Sequence, residues 1–325
     1  MPLSLELIRS STLPLWPRAK WTEWASHTFS RQGLIAFPDS PNQVWIGKKE
    51  LEDRFEYAVP SGARFVALHP SWQYLSTVTA NSISITDRNG EICVQQAVRP
   101  EWGLPTACIF DHEGKLLLVT FSFRNAGIAC LFKTENLEFT SKVELGGDED
   151  SIHTLIPHPT EPVVLLDVGN GQHETFTYLF ELQPNAIKVL RTEITAYPKV
   201  AQGFTSDGKS LLRYDMYDFE FWSYPEWMKI SSVKREDNWS GTLDKNYFST
   251  VIRDRSGRRI FEECSLPDFT VTKRDELPLP EGTRDALALG NGFVYSTFIK
   301  NKQRISPADR LPDTQTFQLW KIHKI

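Results

Sequence analysis

Residues 64–98, RFVALHPSWQYLSTVTANSISITDRNGEICVQQAV, hold four short strand-like segments separated by turns. RFVALHP, YLSTVTA, SISITDRNG and EICVQQAV are rich in Val, Ile, Thr, Tyr and Phe, and none is long enough to show a helical period. HPSWQ and DRNG, at the ends of the first and third segments, carry the Pro, Asn, Asp and Gly that tight turns select for backbone geometry. The stretch therefore reads as an up-and-down sheet of four antiparallel strands.

The same grammar recurs on both sides. Downstream come TACIFDHEG-KLLLVTFS, IHTLIPHP-TEP-VVLLDVGN, VAQGFTSDG-KSLLRYDMYD, WSGTLDK-NYFSTVIRDRSG and DALALGN-GFVYSTFIK, each followed by a third and fourth strand-like segment. Upstream, WTEWASHTF, GLIAF, QVWIGKK and RFEYAV fill the four slots. Anchoring each second strand on one apolar residue gives Ile35, Leu75, Leu117, Leu165, Leu212, Phe248 and Val294, with spacings of 40, 42, 48, 47, 36 and 46 residues. Repeats of about 40–50 residues with four strands apiece are the mark of a β-propeller. The expected fold is all-β: a seven-bladed β-propeller of four-stranded antiparallel blades forming one domain over residues 1–325. The blades fall at about 21–59, 64–98, 106–145, 152–194, 200–234, 239–277 and 284–325. The last supplies only three strands, and LSLELIRSS near the N-terminus is spare. Residues 3–10 are expected to complete the last blade and close the ring, which removes an edge that would invite aggregation.

The turns HPSWQYL, DHEGKLL and SDGKSLL, followed by third strands such as SISITDRNG, resemble those of the WD40-like and YVTN-like propeller superfamily. The third strands end in Thr86-Asp87, Phe132-Lys133, Phe180-Glu181 and Trp320-Lys321, where the narrow WD40 pattern has Trp-Asp. The resemblance spans nearly the whole chain and implies the propeller fold.

In such blades the first-to-second and third-to-fourth turns lie at one end, and the remaining connections at the other. The first set is uniformly short. The second is long and irregular, and function concentrates in loops held on a rigid scaffold. That loop-rich face is the expected binding surface. Its candidate residues are Trp16, Arg18, Arg64, Arg99, Trp102, Arg124, Asp148, Tyr197, Asp215, Tyr217, Trp239, Lys302 and Arg304. Trp, Tyr and Arg among them are the types enriched in interface hot spots. Asp148 and Asp215 against Lys302 and Arg304 would polarise the rim. Packing of the same aromatics onto the blades is the competing role for each.

Little else points to chemistry. No GxSxG, GxGxxG or P-loop pattern occurs, so no catalytic residue and no cofactor is assigned. His153, His158 and His173 lie near acidic residues, but His158 occupies the same turn slot as His69, which argues against a metal site. DRSGRR, residues 254–259, forms a basic knot able to meet a phosphate or simply to turn a hairpin. A net charge of −5 and a pI near 5.9 give no footprint for nucleic acid. No apolar run is long enough to cross a membrane, and no secretory signal is expected. The four cysteines read as free thiols, buried, in a reducing cytoplasm. The expected function is a non-enzymatic platform, monomeric on its own, that binds a protein or peptide partner on the loop-rich face. The alternative is a propeller enzyme or small-molecule-binding protein acting in the central funnel.

Overall fold

A computed structural model describes residues 3–14, 34–40, 42–48, 54–123, 126–146, 152–169, 174–195, 200–214, 218–234, 241–244, 247–254, 256–290, 292–300 and 314–324. Among these residues it contains strands, one short 3-10 turn and no α-helix. Strand β1 is Leu3–Pro14. Sheet 1 comprises β2 (Leu34–Ser40), β3 (Gln43–Lys48) and β4 (Arg54–Ala58). Sheet 2 comprises β5 (Phe65–Leu68), β6 (Tyr74–Val78), β7 (Ser82–Asp87) and β8 (Ile92–Ala97). Sheet 3 comprises β9 (Leu104–Phe110), β10 (Leu116–Phe123), β11 (Ala126–Lys133) and β12 (Phe139–Leu145). Sheet 4 comprises β13 (Ile152–Pro157), β14 (Val163–Gly169), β15 (Thr175–Gln183) and β16 (Ala186–Thr195). Sheet 5 comprises β17 (Val200–Phe204), β18 (Ser210–Tyr214), β19 (Asp218–Ser223) and β20 (Lys229–Lys234). Sheet 6 comprises β21 (Gly241–Asp244), β22 (Tyr247–Arg253), β23 (Arg259–Ser265) and β24 (Val271–Glu276). Sheet 7 comprises β25 (Asp285–Gly290), β26 (Phe293–Lys300) and β27 (Thr314–Lys324), and β1 pairs with β27 as its fourth strand.

Every pair is antiparallel, and six of the seven sheets have four described strands. The strand expected at the start of sheet 1, WTEWASHTF, lies outside the described residues. The N-terminal strand takes its expected place, with Leu3 opposite Lys324 and Pro14 opposite Thr314. The pairing reaches four residues beyond the expected 3–10.

The chain divides into two compact units, Met1–Glu56 with Asp237–Ile325, and Tyr57–Glu236. In the second unit the hydrophobic pattern follows the distance of a strand from the sheet edge. Second strands are buried on both faces, as in β14, VVLLDVG, and β18, SLLRY. Fourth strands expose most of their residues, as in β8 and β20. A strand covered on both faces needs continuous apolar sequence, and an edge strand needs polar residues that blunt aggregation. Neighbouring sheets share their cores: Val78, Ile83 and Ile85 of sheet 2 pack with Cys108, Val119 and Phe121 of sheet 3. In the first unit, Leu13 of β1 packs with Ile35 and Phe37 of β2 and with Phe317 of β27.

The turns into the fourth strands use an unusual device. Leu137, Trp227 and Phe269 sit at φ 52°, 58° and 55°, a region that bulky residues rarely adopt. All three side chains are buried, so core contacts offset the backbone strain. A β-bulge accompanies each, at Leu131/Phe132, Phe221/Trp222 and Glu263/Cys264. The cysteines are all free. Cys108, Cys130 and Cys264 are buried as expected, whereas Cys93 is exposed on an edge strand. Burial pushes the Cys108 and Cys130 thiols up to about 12, so neither is a nucleophile at neutral pH.

Candidate functional site

Ten of the residues singled out from the sequence, Trp16, Arg18, Arg124, Asp148, Tyr197, Asp215, Tyr217, Trp239, Lys302 and Arg304, lie outside the described residues. Arg64, Arg99 and Trp102 are described. Arg64 is half-buried at the start of sheet 2, where its N–H donates to the Val78 carbonyl at 2.7 Å. Trp102 is buried in the shared core of sheets 2 and 3, against Phe121, Phe132 and Phe139. That packing takes it out of the role of exposed anchor. Arg99, three residues earlier, is exposed, and its guanidinium carbon lies 5.1 Å and 5.0 Å from the ring centroids of Trp102 and Phe139. The tryptophan is a pedestal and the arginine is what solvent meets.

The histidine pair behaves as its shared turn slot predicts. His69 Nε2 lies 3.0 Å from the Gly114 carbonyl, and His158 Nε2 lies 3.0 Å from the Gly208 carbonyl. Backbone N–H groups of Ser71 and of Glu161 donate to the respective Nδ1 atoms at 3.1 Å. Each ring thus carries its proton on Nε2 and donates it to the turn of the next sheet. These are structural latches, sheet 2 to sheet 3 and sheet 4 to sheet 5.

Beside the first latch an open groove of about 830 Å³ crosses the short-turn ends of sheets 2, 3 and 4. Its lining comes from first-to-second and third-to-fourth turns and from strand residues beside them, Leu116, Lys133 and Leu182. Leu116, Pro162, Leu182 and Pro184 give it apolar surface. Its rim is charged: Lys115 pairs with Glu113 at 2.6 Å, and Lys133 pairs with Glu138 at 2.8 Å. Two polar atoms in the lining, His112 Nδ1 and Thr134 Oγ1, are buried and have no hydrogen-bond partner among the described residues. Asp111 Oδ2 lies 3.9 Å from His112 Nδ1, beyond hydrogen-bond reach, while Asp111 Oδ1 accepts from the Leu116 N–H at 2.8 Å. A buried polar group without a partner costs about 1–3 kcal/mol. No binding role was legible in these turns from sequence, because each is short and only their juxtaposition makes a groove.

A second polar cluster is buried apart from Glu193, which is partly exposed. Arg213, with no exposed surface, donates from Nη1 to Glu193 at 2.8 Å and from Nη2 to Thr177 at 3.0 Å. Thr177 in turn donates to Asp167 at 2.6 Å. The guanidinium also lies 5.6 Å from the ring centroids of both Trp222 and Trp227. This network ties sheet 4 to sheet 5. Among the described residues, no three His, Cys, Asp or Glu side chains are grouped to hold a metal ion, and no helix is long and apolar enough to cross a membrane.

No protein-family model and no curated protein matches the chain. Solved structures do. The Dos1 propeller is 13% identical with a TM-score of 0.56, covering 88% of this chain and 75% of that one. The β-propeller domain of Cps50 (Swd1) from Myceliophteria thermophila is 9% identical with a TM-score of 0.56, covering 98% and 99%. The fold is that of a β-propeller. Hydrazine synthase from Kuenenia stuttgartiensis, at 12% identity and a TM-score of 0.56 over 82% and 90%, shares it as well. Identities this low establish a common propeller architecture and nothing about activity.

Proposed function

We propose that this propeller is a non-enzymatic platform that binds another protein through an extended peptide segment. The observation that carries the reading is the groove across the short-turn ends of sheets 2 to 4. It combines apolar surface for a side chain, a charged rim and two buried polar atoms that await a partner. An extended strand brings alternating side chains and main-chain hydrogen bonds, which suits that combination. The loop-rich side contributes a second contact through Arg99, whose guanidinium is exposed yet held on two aromatic rings. A pre-positioned side chain loses less entropy on binding.

The test is selection from a displayed random-peptide library, followed by affinity measurements on His112→Ala, Thr134→Val and Arg99→Ala. Selected peptides should bind the His112 and Thr134 variants about two- to tenfold more weakly, the value of one hydrogen bond each. Arg99→Ala leaves groove peptides unaffected and weakens only those that engage the loop-rich side. A library without binders, or binders indifferent to all three changes, would sink the proposal.

A further inference from the structure

One hairpin in the first unit carries three described arginines in two different electrostatic conditions. Arg258 is neutralised, 2.9 Å from Asp254 and 3.1 Å from Glu276. Asp254 is held down to about 2, by Ser256 and by its contacts with Arg258, so that pair stays ionised. Arg253 ends β22 and Arg259 begins β23, directly opposite each other in the register. Like charges in that relation repel. Neither has a carboxylate within ion-pair distance among the described residues.

Their hydrogen bonds go to backbone. Arg253 Nε donates to the Gly257 carbonyl at 3.3 Å, and Arg259 Nη2 donates to the carbonyl of Arg284. Each contact uses one edge of a guanidinium, and the other N–H groups have no partner among the described residues. Burial and the facing Arg253 push Arg259 below the usual arginine value, with Asp285 opposing only in part. The nearby Arg284 adds a fourth cation, 3.6 Å from the exposed Asp285. The β22–β23 turn joins second and third strands, and residues 277–284 join sheet 6 to sheet 7, so both lie at the loop-rich end. Arg255 lies outside the described residues.

We propose that Arg253 and Arg259 form a binding site for a phosphate-class oxyanion, free or carried on a phosphorylated side chain. Guanidinium groups pair their N–H donors with phosphate oxygens in a fixed fork. An anion between these two also removes their mutual repulsion. The site is independent of the groove, which belongs to the other unit.

The test is a 31P NMR titration of the full chain with inorganic phosphate and, separately, with a phosphoserine peptide. The variants are Arg253→Gln, Arg259→Gln and Arg258→Gln. Saturable binding should survive Arg258→Gln and weaken about tenfold or more in the other two, as expected for a charged hydrogen bond. Unfolding midpoints report whether each variant is folded; relief of repulsion should leave the Arg253 and Arg259 variants at least as stable as the parent. Tighter binding of the phosphopeptide assigns the site to a modified side chain, and tighter binding of inorganic phosphate assigns it to the free ion. No saturable binding to the parent, or equal binding by all three folded variants, overturns the proposal.

Discussion

His158 fills the space that a side chain at Gly208 would need: a Cβ there would lie 2.3 Å from the ring's Cε1. The glycine also holds φ +73°, which other residues adopt only under strain. The hydrogen bond from Nε2 to the glycine carbonyl therefore depends on a residue with no side chain, in the turn of the next sheet. Gly208→Ala should cost at least about 2 kcal/mol from backbone strain and overpacking together. Adding His158→Ala should recover part of that loss, because the ring that clashes is gone. Urea midpoints for the two single variants and the double variant measure the coupling. Strictly additive losses would show that ring and glycine do not meet in solution.

The equivalent latch at His69 makes stability depend on pH. Burial pushes the His69 imidazole below its ordinary 6.5, outweighing the Gly114 hydrogen bond and Asp111. The folded state then binds the proton less readily than the unfolded chain does. Its contribution is complete above about 6.5 and is lost as pH falls through the lowered folded value. Melting temperature should fall between pH 7 and pH 5, and His69→Gln, which keeps a donor but not the titration, should flatten that fall.

Arg213 is a buried charge whose balance comes from specific partners. Arg213→Ala removes the charged donor to Glu193, which keeps the Trp227 Nε1 hydrogen bond at 3.3 Å, and the donor to Thr177; Arg213→Lys cannot reproduce the planar fork. Glu193 keeps partial access to water, so losing these charged hydrogen bonds costs about 1.5–3 kcal/mol. Both variants should show lower urea midpoints, with Arg213→Lys rescuing only in part. A fully stable lysine variant would mean that charge alone, without geometry, holds sheets 4 and 5 at this point.

Deleting residues 1–10 removes most of the strand that completes sheet 7. It takes away the buried Leu3 and the contacts of Arg9 with Asp39 and Glu56, and it uncovers the edge of β27. An uncovered strand edge invites pairing with other chains. The truncated protein should unfold at lower temperature and elute partly as aggregate in size-exclusion chromatography. Unchanged melting and a single monomer peak would show that β1 is dispensable.

Much of the architecture was legible because each strand states its own environment. Continuous apolar runs such as VVLLDV mark strands covered on both sides, and ICVQQA marks an edge. The repeat of that order, with turns at matching places, made the four-stranded antiparallel sheet legible as the repeating unit. The equivalence of His69 and His158 was also visible, since both precede proline in the same slot. Their partners were not, because Gly114 and Gly208 come from the following repeats.

Trp102 shows the limit most clearly. A tryptophan in a loop between repeats reads equally well as an anchor for a partner or as a plug between blades, and neighbouring letters cannot choose. Phe121, Phe132 and Phe139, which bury it, lie 19 to 37 residues further along the chain. The groove has the same origin, as do the bare arginine pair and the buried Arg213 network. Each depends on which side chains from separate strands face one another. The N-terminal strand that closes the last blade was set by the sequence alone, through a missing fourth strand at one end and a spare one at the other. What surrounds each polar side chain was decided only by the packing of the sheets, because burial and partnership are properties of residues distant in the chain.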